Sequence, residues 1–129
     1  MDGEDSKSVR VVLAMYAALR DNRVSDMLAL LDPEIVCYPL VRPGQSAYYG
    51  HEAMAKLAGY MHDQHGNYTV EIARITEQAA PKGNVKVTAE VTIVPEHGLG
   101  KDPVPVTSVY TVHDGLINWI VSKPGRSPA

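Results

Sequence analysis

The sequence has one cysteine, Cys37, so no disulfide can form within the chain. Cys37 follows Ile35 and Val36 in an apolar run, which predicts a buried free thiol and a reducing, cytoplasmic setting. Basic surplus is lacking too: 12 Lys and Arg stand against 15 Asp and Glu, a net charge of -3. Nothing here would draw a phosphate backbone, so nucleic acid is not an expected partner. No apolar run approaches the ~18 residues of a membrane span, so no membrane is expected either. The chain starts acidic and polar, without the basic start and apolar block of a signal peptide. Gly44 and Gly50 lack phosphate-binding spacing, and Gly98-Leu99-Gly100 has no helix after it, which excludes a nucleotide loop. His62 and His65 could share a helical face, but His51, His97 and His113 are scattered and offer no third ligand. No metal and no cofactor are expected.

What is present describes a single domain. The 129 residues are 45% hydrophobic and 21% charged, enough for one core without metal or disulfide. The reading is one domain over 1–129 with short frayed tails at 1–7 and 123–129. Asp5, Ser6 and Ser8 offer caps for a first helix at 8–21. Val9, Val12, Leu13, Tyr16 and Leu19 form its buried stripe. Asp21-Asn22 ends it, because Asn tolerates the left-handed backbone of helix ends. Ser25 can cap a short second helix over 25–31, anchored by Leu28 and Leu31 and broken by Asp32-Pro33. A strand follows at 34–40, then a loop through 42–47. Met54, Leu57, Ala58 and Met61 recur at helical spacing and predict a third helix over 51–64.

After Gly66-Asn67 the period changes to two. Tyr68, Val70 and Ile72 mark one strand. Val85, Val87, Ala89, Val91 and Ile93 alternate with polar residues in the next. Another strand runs over 104–113, then an Asp114-Gly115 hairpin turn, then a last strand over 116–122. Helices first and strands after predict an α+β fold: three helices packed on a curved antiparallel sheet, forming a cone with an apolar pocket at its open end.

Tyr16-Ala17-Ala18-Leu19, then Leu28-Ala29-Leu30-Leu31-Asp32-Pro33-Glu34, then Tyr49-Gly50-His51, then meandering strands with an Asp114-Gly115 turn: this order resembles the nuclear transport factor 2-like superfamily. Within it, the SnoaL-like polyketide cyclase and ketosteroid isomerase branch is the nearest in look. The resemblance covers about 8–122. It implies the cone, its pocket, cofactor-free acid/base chemistry if the protein is an enzyme, and a homodimer through the outer sheet face. It does not choose among isomerases, cyclases, dehydratases, epoxide hydrolases and plain binding proteins. The isomerase site carries over at one place of three. Its oxyanion tyrosine falls on Tyr16. Its base falls on Tyr38, before Pro39, and its protonated acid on Ser108, neither of which is a carboxylate. Steroid isomerase activity is therefore not expected, and an epoxide hydrolase would need an Asp-Arg-Asp set that the inward strand positions lack.

Two readings stand beside each candidate. Tyr16 is an oxygen-binding donor or a core tyrosine. Tyr38 is a pocket hydroxyl or an outward residue, since Cys37 beside it takes the opposite face. His62 is an acid/base group or a helix-end histidine. Either Tyr38 or His62 would be the proton shuttle of an enzyme. Met54, Leu57 and Met61 are core or an adaptable pocket wall. Val87, Val91, Ser108 and Tyr110 line the pocket from the strands, and Trp119 fits either the pocket base or a dimer face. His51 begins the third helix and is structural. The expected function is binding a small, largely apolar, oxygen-bearing molecule, with isomerisation, cyclisation or dehydration as the catalytic form and non-catalytic binding or protein interaction as the alternative.

Overall fold

A computed structural model describes residues 6–39 and 47–125. The predicted 42–47 loop (Ala47 apart), the Asp5 cap, Leu40 and the outermost tail residues lie outside the described residues.

Ser6 caps α1 (Lys7–Arg20) by accepting the Val9 N–H at 3.1 Å. Val9, Val12, Met15, Tyr16 and Ala18 are its buried residues, while Leu13 is half-buried. Asn22 takes the left-handed backbone, φ 55°, that lets the chain turn. The second helix is shorter than expected. α2 spans Val24–Ala29, and Leu31 belongs to the next strand. Arg23, not Ser25, holds the cap position, and its guanidinium pairs with Asp26 at 2.6 Å. Met27 is its buried residue.

β1 runs Leu31–Tyr38, so Asp32-Pro33 opens a strand instead of breaking a helix. Asp32 Oδ1 accepts the Glu34 N–H at 2.8 Å, a tight local turn that gives β1 its irregular start. β2 is Tyr48–Tyr49, and α3 is Gly50–His65. His51 Nε2 bonds the Leu31 carbonyl at 2.9 Å and ties the head of α3 to β1. The remaining strands are β3 (Thr69–Ala79), β4 (Val85–Val94), β5 (Val104–His113) and β6 (Leu116–Pro124). Of the residues assigned to the tails, Lys7 opens α1, and Lys123 and Pro124 pair with Thr107 and Val106.

The six strands form one sheet in the order β2-β1-β6-β5-β4-β3. The α+β class and its curved sheet are as expected. The pairing is not wholly antiparallel, because β1 lies parallel to β6. A parallel neighbour needs a long crossover, and here α3 and four strands supply it. α1 packs on β3, β4 and β6, and α3 packs on β1. Val12, Met27, Leu31, Ile35, Val87 and Ile117 make the solid part of the core. Each such side chain contributes roughly 1.5–3 kcal/mol by leaving water. Among the described residues no helix is long and apolar enough to cross a membrane.

Candidate functional site

Between α1, α3 and the inner sheet face lies a cavity of about 320 Å³. That is at the small end of ligand pockets, which span roughly 300–1,000 Å³. α3 supplies Met54, Leu57 and Met61, and β4 and β5 supply Val91 and Val106. These walls are apolar. Polar atoms gather at two places.

The first gathers on α1, β5 and β6. Tyr16 points inward because it continues the Val9–Val12 stripe of α1. Tyr110 and Ser108 point inward because they alternate with the outward Val109 on β5. The Tyr110 hydroxyl donates to Tyr16 Oη at 2.6 Å, and the two rings meet edge to face at 5.9 Å. Ser108 and Ser122, opposite each other across β5 and β6, share a hydrogen bond at 2.7 Å. Burial pushes the Tyr16 phenol above its ordinary value, against the lowering effect of hydrogen bonding to Tyr110 and Ser108. Burial also lifts Tyr110 well above the ordinary range, helped by Tyr16 beside it. Both phenols therefore keep their protons at neutral pH. Since Tyr110 spends its proton on Tyr16, the Tyr16 proton is the one left for a neighbouring acceptor.

The second lies at the end of α3 and the start of β3. His65 and Tyr68 both line the cavity. Tyr68 is 2% exposed, and its hydroxyl and the buried His65 Nδ1 have no hydrogen-bond partner among the described residues. Burial pushes the Tyr68 phenol up to about 12. Burial, and then the Lys101 charge, hold the His65 imidazole below its usual value. Neither group was expected in the site from sequence. The signal was there: counting by turns from Met54 through Ala58 and Met61 arrives at His65, the middle of the stripe, whereas His62 falls on its edge. Tyr68 shares the strand face of Val70.

The structure separates the other candidates. His62 does not line the cavity; its Nε2 bonds the Leu19 carbonyl at 3.0 Å, and its ring packs on Tyr68 at 5.1 Å. Tyr38 is 40% exposed on the opposite sheet face, because Ile35 and Cys37 take the inward positions. Trp119 is 41% exposed beside it, with ring centroids 5.4 Å apart. An extra residue in β6, Asn118, lets Ile117 and Ile120 both face inward and leaves Trp119 outside. Val87 is fully buried in the packed core and does not touch the cavity. Cys37 lines the cavity as a thiol that burial pushes up to about 12, so it is protonated and inert.

No Asp, Glu, Lys or Arg lines the cavity among the described residues. None gathers three His, Cys, Asp or Glu side chains in a metal-holding group. The arrangement can bind an oxygen by hydrogen-bond donation in apolar surroundings. It offers no carboxylate base beside that oxygen.

Residues 12–120 match the SnoaL-like domain family. No curated protein matches the sequence significantly. Among solved structures, the Anabaena orange carotenoid protein binding canthaxanthin superposes with a TM-score of 0.76 at 16% identity, over 92% of this chain and 36% of that one. The chain thus spans about a third of the length of that carotenoid protein. TerC, co-crystallised with polyporic acid, gives 0.69 at 17% identity over 92% of each chain. An epoxide hydrolase of the LEH-like type from M. tuberculosis gives 0.64 at 25% identity, over 90% of this chain and 80% of that one.

Proposed function

The chain belongs to the SnoaL-like domain family, and from that premise we propose that it binds a small, largely apolar molecule by an oxygen set against Tyr16. The observation that carries this is the Tyr110-to-Tyr16 hydrogen bond inside the cavity, which leaves Tyr16 as a protonated donor in low-dielectric surroundings. A carbonyl or phenol oxygen placed there is held by Tyr16 and, through it, by Tyr110. Relatives of the same fold were solved with canthaxanthin and with polyporic acid, which agrees with an organic occupant.

Binding without catalysis is the reading favoured by walls that carry no carboxylate among the described residues. Cofactor-free isomerisation, cyclisation or dehydration is the second reading. It is favoured by the phenol pair, which would stabilise negative charge developing on a ligand oxygen. Tyr38 and His62, the candidates for the proton shuttle of such a step, are not among the residues that line the cavity. Among the described residues no Asp-Arg-Asp set faces the cavity, so nothing there supports the activity of the epoxide hydrolase relative.

The test is a titration with 2-naphthol. Wild-type protein should bind it about tenfold more tightly than Tyr16→Phe, the worth of one hydrogen bond in a dry site. Equal affinities would remove Tyr16 from the site. Exchange of the α-protons of 2-tetralone in deuterated water separates the two readings: acceleration lost in Tyr16→Phe supports catalysis, and exchange no faster than buffer supports binding alone.

The outer sheet face supports a second proposal, a homodimer. Tyr38, Trp119 and Val121 are exposed there, and Thr88, Thr107, Val109 and Thr111 extend the patch, which runs in register across four strands. A weakly charged, partly apolar face of this kind suits a second copy of the same chain. The free, inert Cys37 fits the cytoplasmic setting proposed with it.

A further inference from the structure

Tyr68, a residue of the cavity wall, has a fully buried hydroxyl without a partner among the described residues, and the neighbouring His65 has a ring nitrogen in the same condition. Leaving such a group unpaired is costly, because it gives up its bonds to water and gains none in return. One orphan would be an accident of packing. Two on adjacent side chains, both lining one cavity, mark a polar spot in an otherwise apolar wall. The rings stand edge to face, with centroids 6.1 Å apart.

The backbone around them is fixed. The Glu96 N–H donates to the His65 carbonyl at 2.8 Å, and Glu96 Oε1 accepts the Asn67 N–H at 2.7 Å. The Tyr68 N–H donates to the Gly66 carbonyl at 2.9 Å. Gly66 sits in the left-handed region, φ 66°, with Glu96 against it so closely that an added Cβ would meet the Glu96 side chain at 2.8 Å. The two side chains are thus held by a clamped turn. This is how rigid binding groups are built.

Their distance from the Tyr16 end follows from register. Ser108 marks the level of the hydroxyl group on β5. Val104, Ile93 and Val70 are paired neighbours that mark the level next to Tyr68. From Ser108 to Val104 is about 13 Å of strand at roughly 3.3 Å per residue. Between the two levels the walls are Leu57, Met61, Val91 and Val106.

We propose that His65 and Tyr68 form a second polar subsite, which takes a hydroxyl at the far end of an elongated apolar ligand whose first oxygen is held at Tyr16. A hydroxyl answers both orphans at once: it donates to a neutral imidazole nitrogen and accepts from the phenol. The imidazole is neutral because its surroundings disfavour the cation. The ligand class is a rod with an oxygen at each end. This rests on the reading of the cavity as a ligand site and adds the length and second function of its occupant.

The experiment compares 4-hydroxybiphenyl with 4,4′-dihydroxybiphenyl by calorimetric titration, using wild type, Tyr68→Phe and Tyr16→Phe. In wild type the diol should bind about tenfold more tightly, beyond the roughly twofold statistical advantage of two equivalent ends. Tyr68→Phe should reduce that ratio to the statistical one and weaken the mono-ol by no more than about twofold. Its Tm should equal or exceed that of wild type, because only an unpaired hydroxyl is lost. Tyr16→Phe should weaken the diol about tenfold and the mono-ol only about twofold, because the mono-ol can reverse and set its hydroxyl at Tyr68. With Tyr16 engaged, a wild-type ratio of two or less overturns the subsite; so do affinities indifferent to Tyr68→Phe, or a lowered Tm in that variant. If Tyr16→Phe changes neither affinity while Tyr68→Phe weakens both several-fold, the Tyr16 reading fails and the subsite stands. If neither compound binds wild type, both fail.

Discussion

Tyr110 gives its proton to the Tyr16 oxygen at 2.6 Å, in a place where neither phenol meets bulk water. Two consequences belong to this scale. Tyr16→Phe should cost about 1–3 kcal/mol of stability, because it strands the Tyr110 hydroxyl, and Tyr16→Phe with Tyr110→Phe should cost less than the single change. Denaturant titration of the three variants checks the order. The second consequence is alkaline. Tyr16, Tyr68, Tyr110 and Cys37 all have folded values above their ordinary ones of 10.0 and 9.0. In the unfolded chain they ionise first, so stability is intact below about pH 9 and falls as pH rises through 10 towards 12. Tm should be level between pH 8 and 9 and should decline from pH 9 to 11. His65 acts on the acid side. Its folded value lies below 6.5, so the unfolded chain takes up a proton that the folded chain resists, and stability falls as pH drops below 6.5. His65→Gln should flatten the fall in Tm between pH 7 and 5. Of these residues, Tyr16 was legible from its helical stripe and family position. His65 was not, because two histidines three apart drew attention as a ligand pair while the stripe through Met54, Ala58 and Met61 chose between them.

Bulges decide which side chains the elements present. β6 carries an extra residue at Asn118, and β3 carries one at Ala73. Strict alternation fails across each, which is why the face of Trp119 could not be read from sequence. Tyr38 posed the same difficulty in β1, whose register slips between Leu31 and Val36. α3 was read well at its core face, because Met54, Leu57 and Ala58 keep helical spacing without interruption. α2 was misplaced, because Leu30-Leu31-Asp32-Pro33 has the look of a helix end and is instead the start of β1. Among turns, the one after α3 matters most for the site. Gly66→Ala combines a left-handed backbone with a clash against Glu96, and should lower stability by about 1–3 kcal/mol. Thermal melts measure it, and Gly98→Ala is the control: its φ is also positive, but an added Cβ meets nothing within 4 Å. An equal loss at both positions would mean that the Glu96 clamp adds nothing.

At the scale of the molecule, the sheet divides the chain into two surfaces with different chemistry. The inner face encloses an apolar space with hydroxyls and an imidazole at its ends. The outer face carries Tyr38, Trp119, Val121 and a row of threonines. The α+β class followed from helices preceding strands, whereas the parallel β1–β6 pair depends on a crossover that no local pattern encodes. If the outer face joins two copies, Trp119→Glu should convert a dimer to a monomer in light scattering at micromolar concentration. A wild-type monomer at every concentration would remove that interface. The inner face is tested most directly by a crystal structure of the protein with 2-naphthol. The expected result places the naphthol ring between Leu57 and Val106, with its oxygen about 2.5–3.0 Å from Tyr16 Oη. A ring bound on the outer face, or an oxygen turned away from Tyr16, would contradict the account.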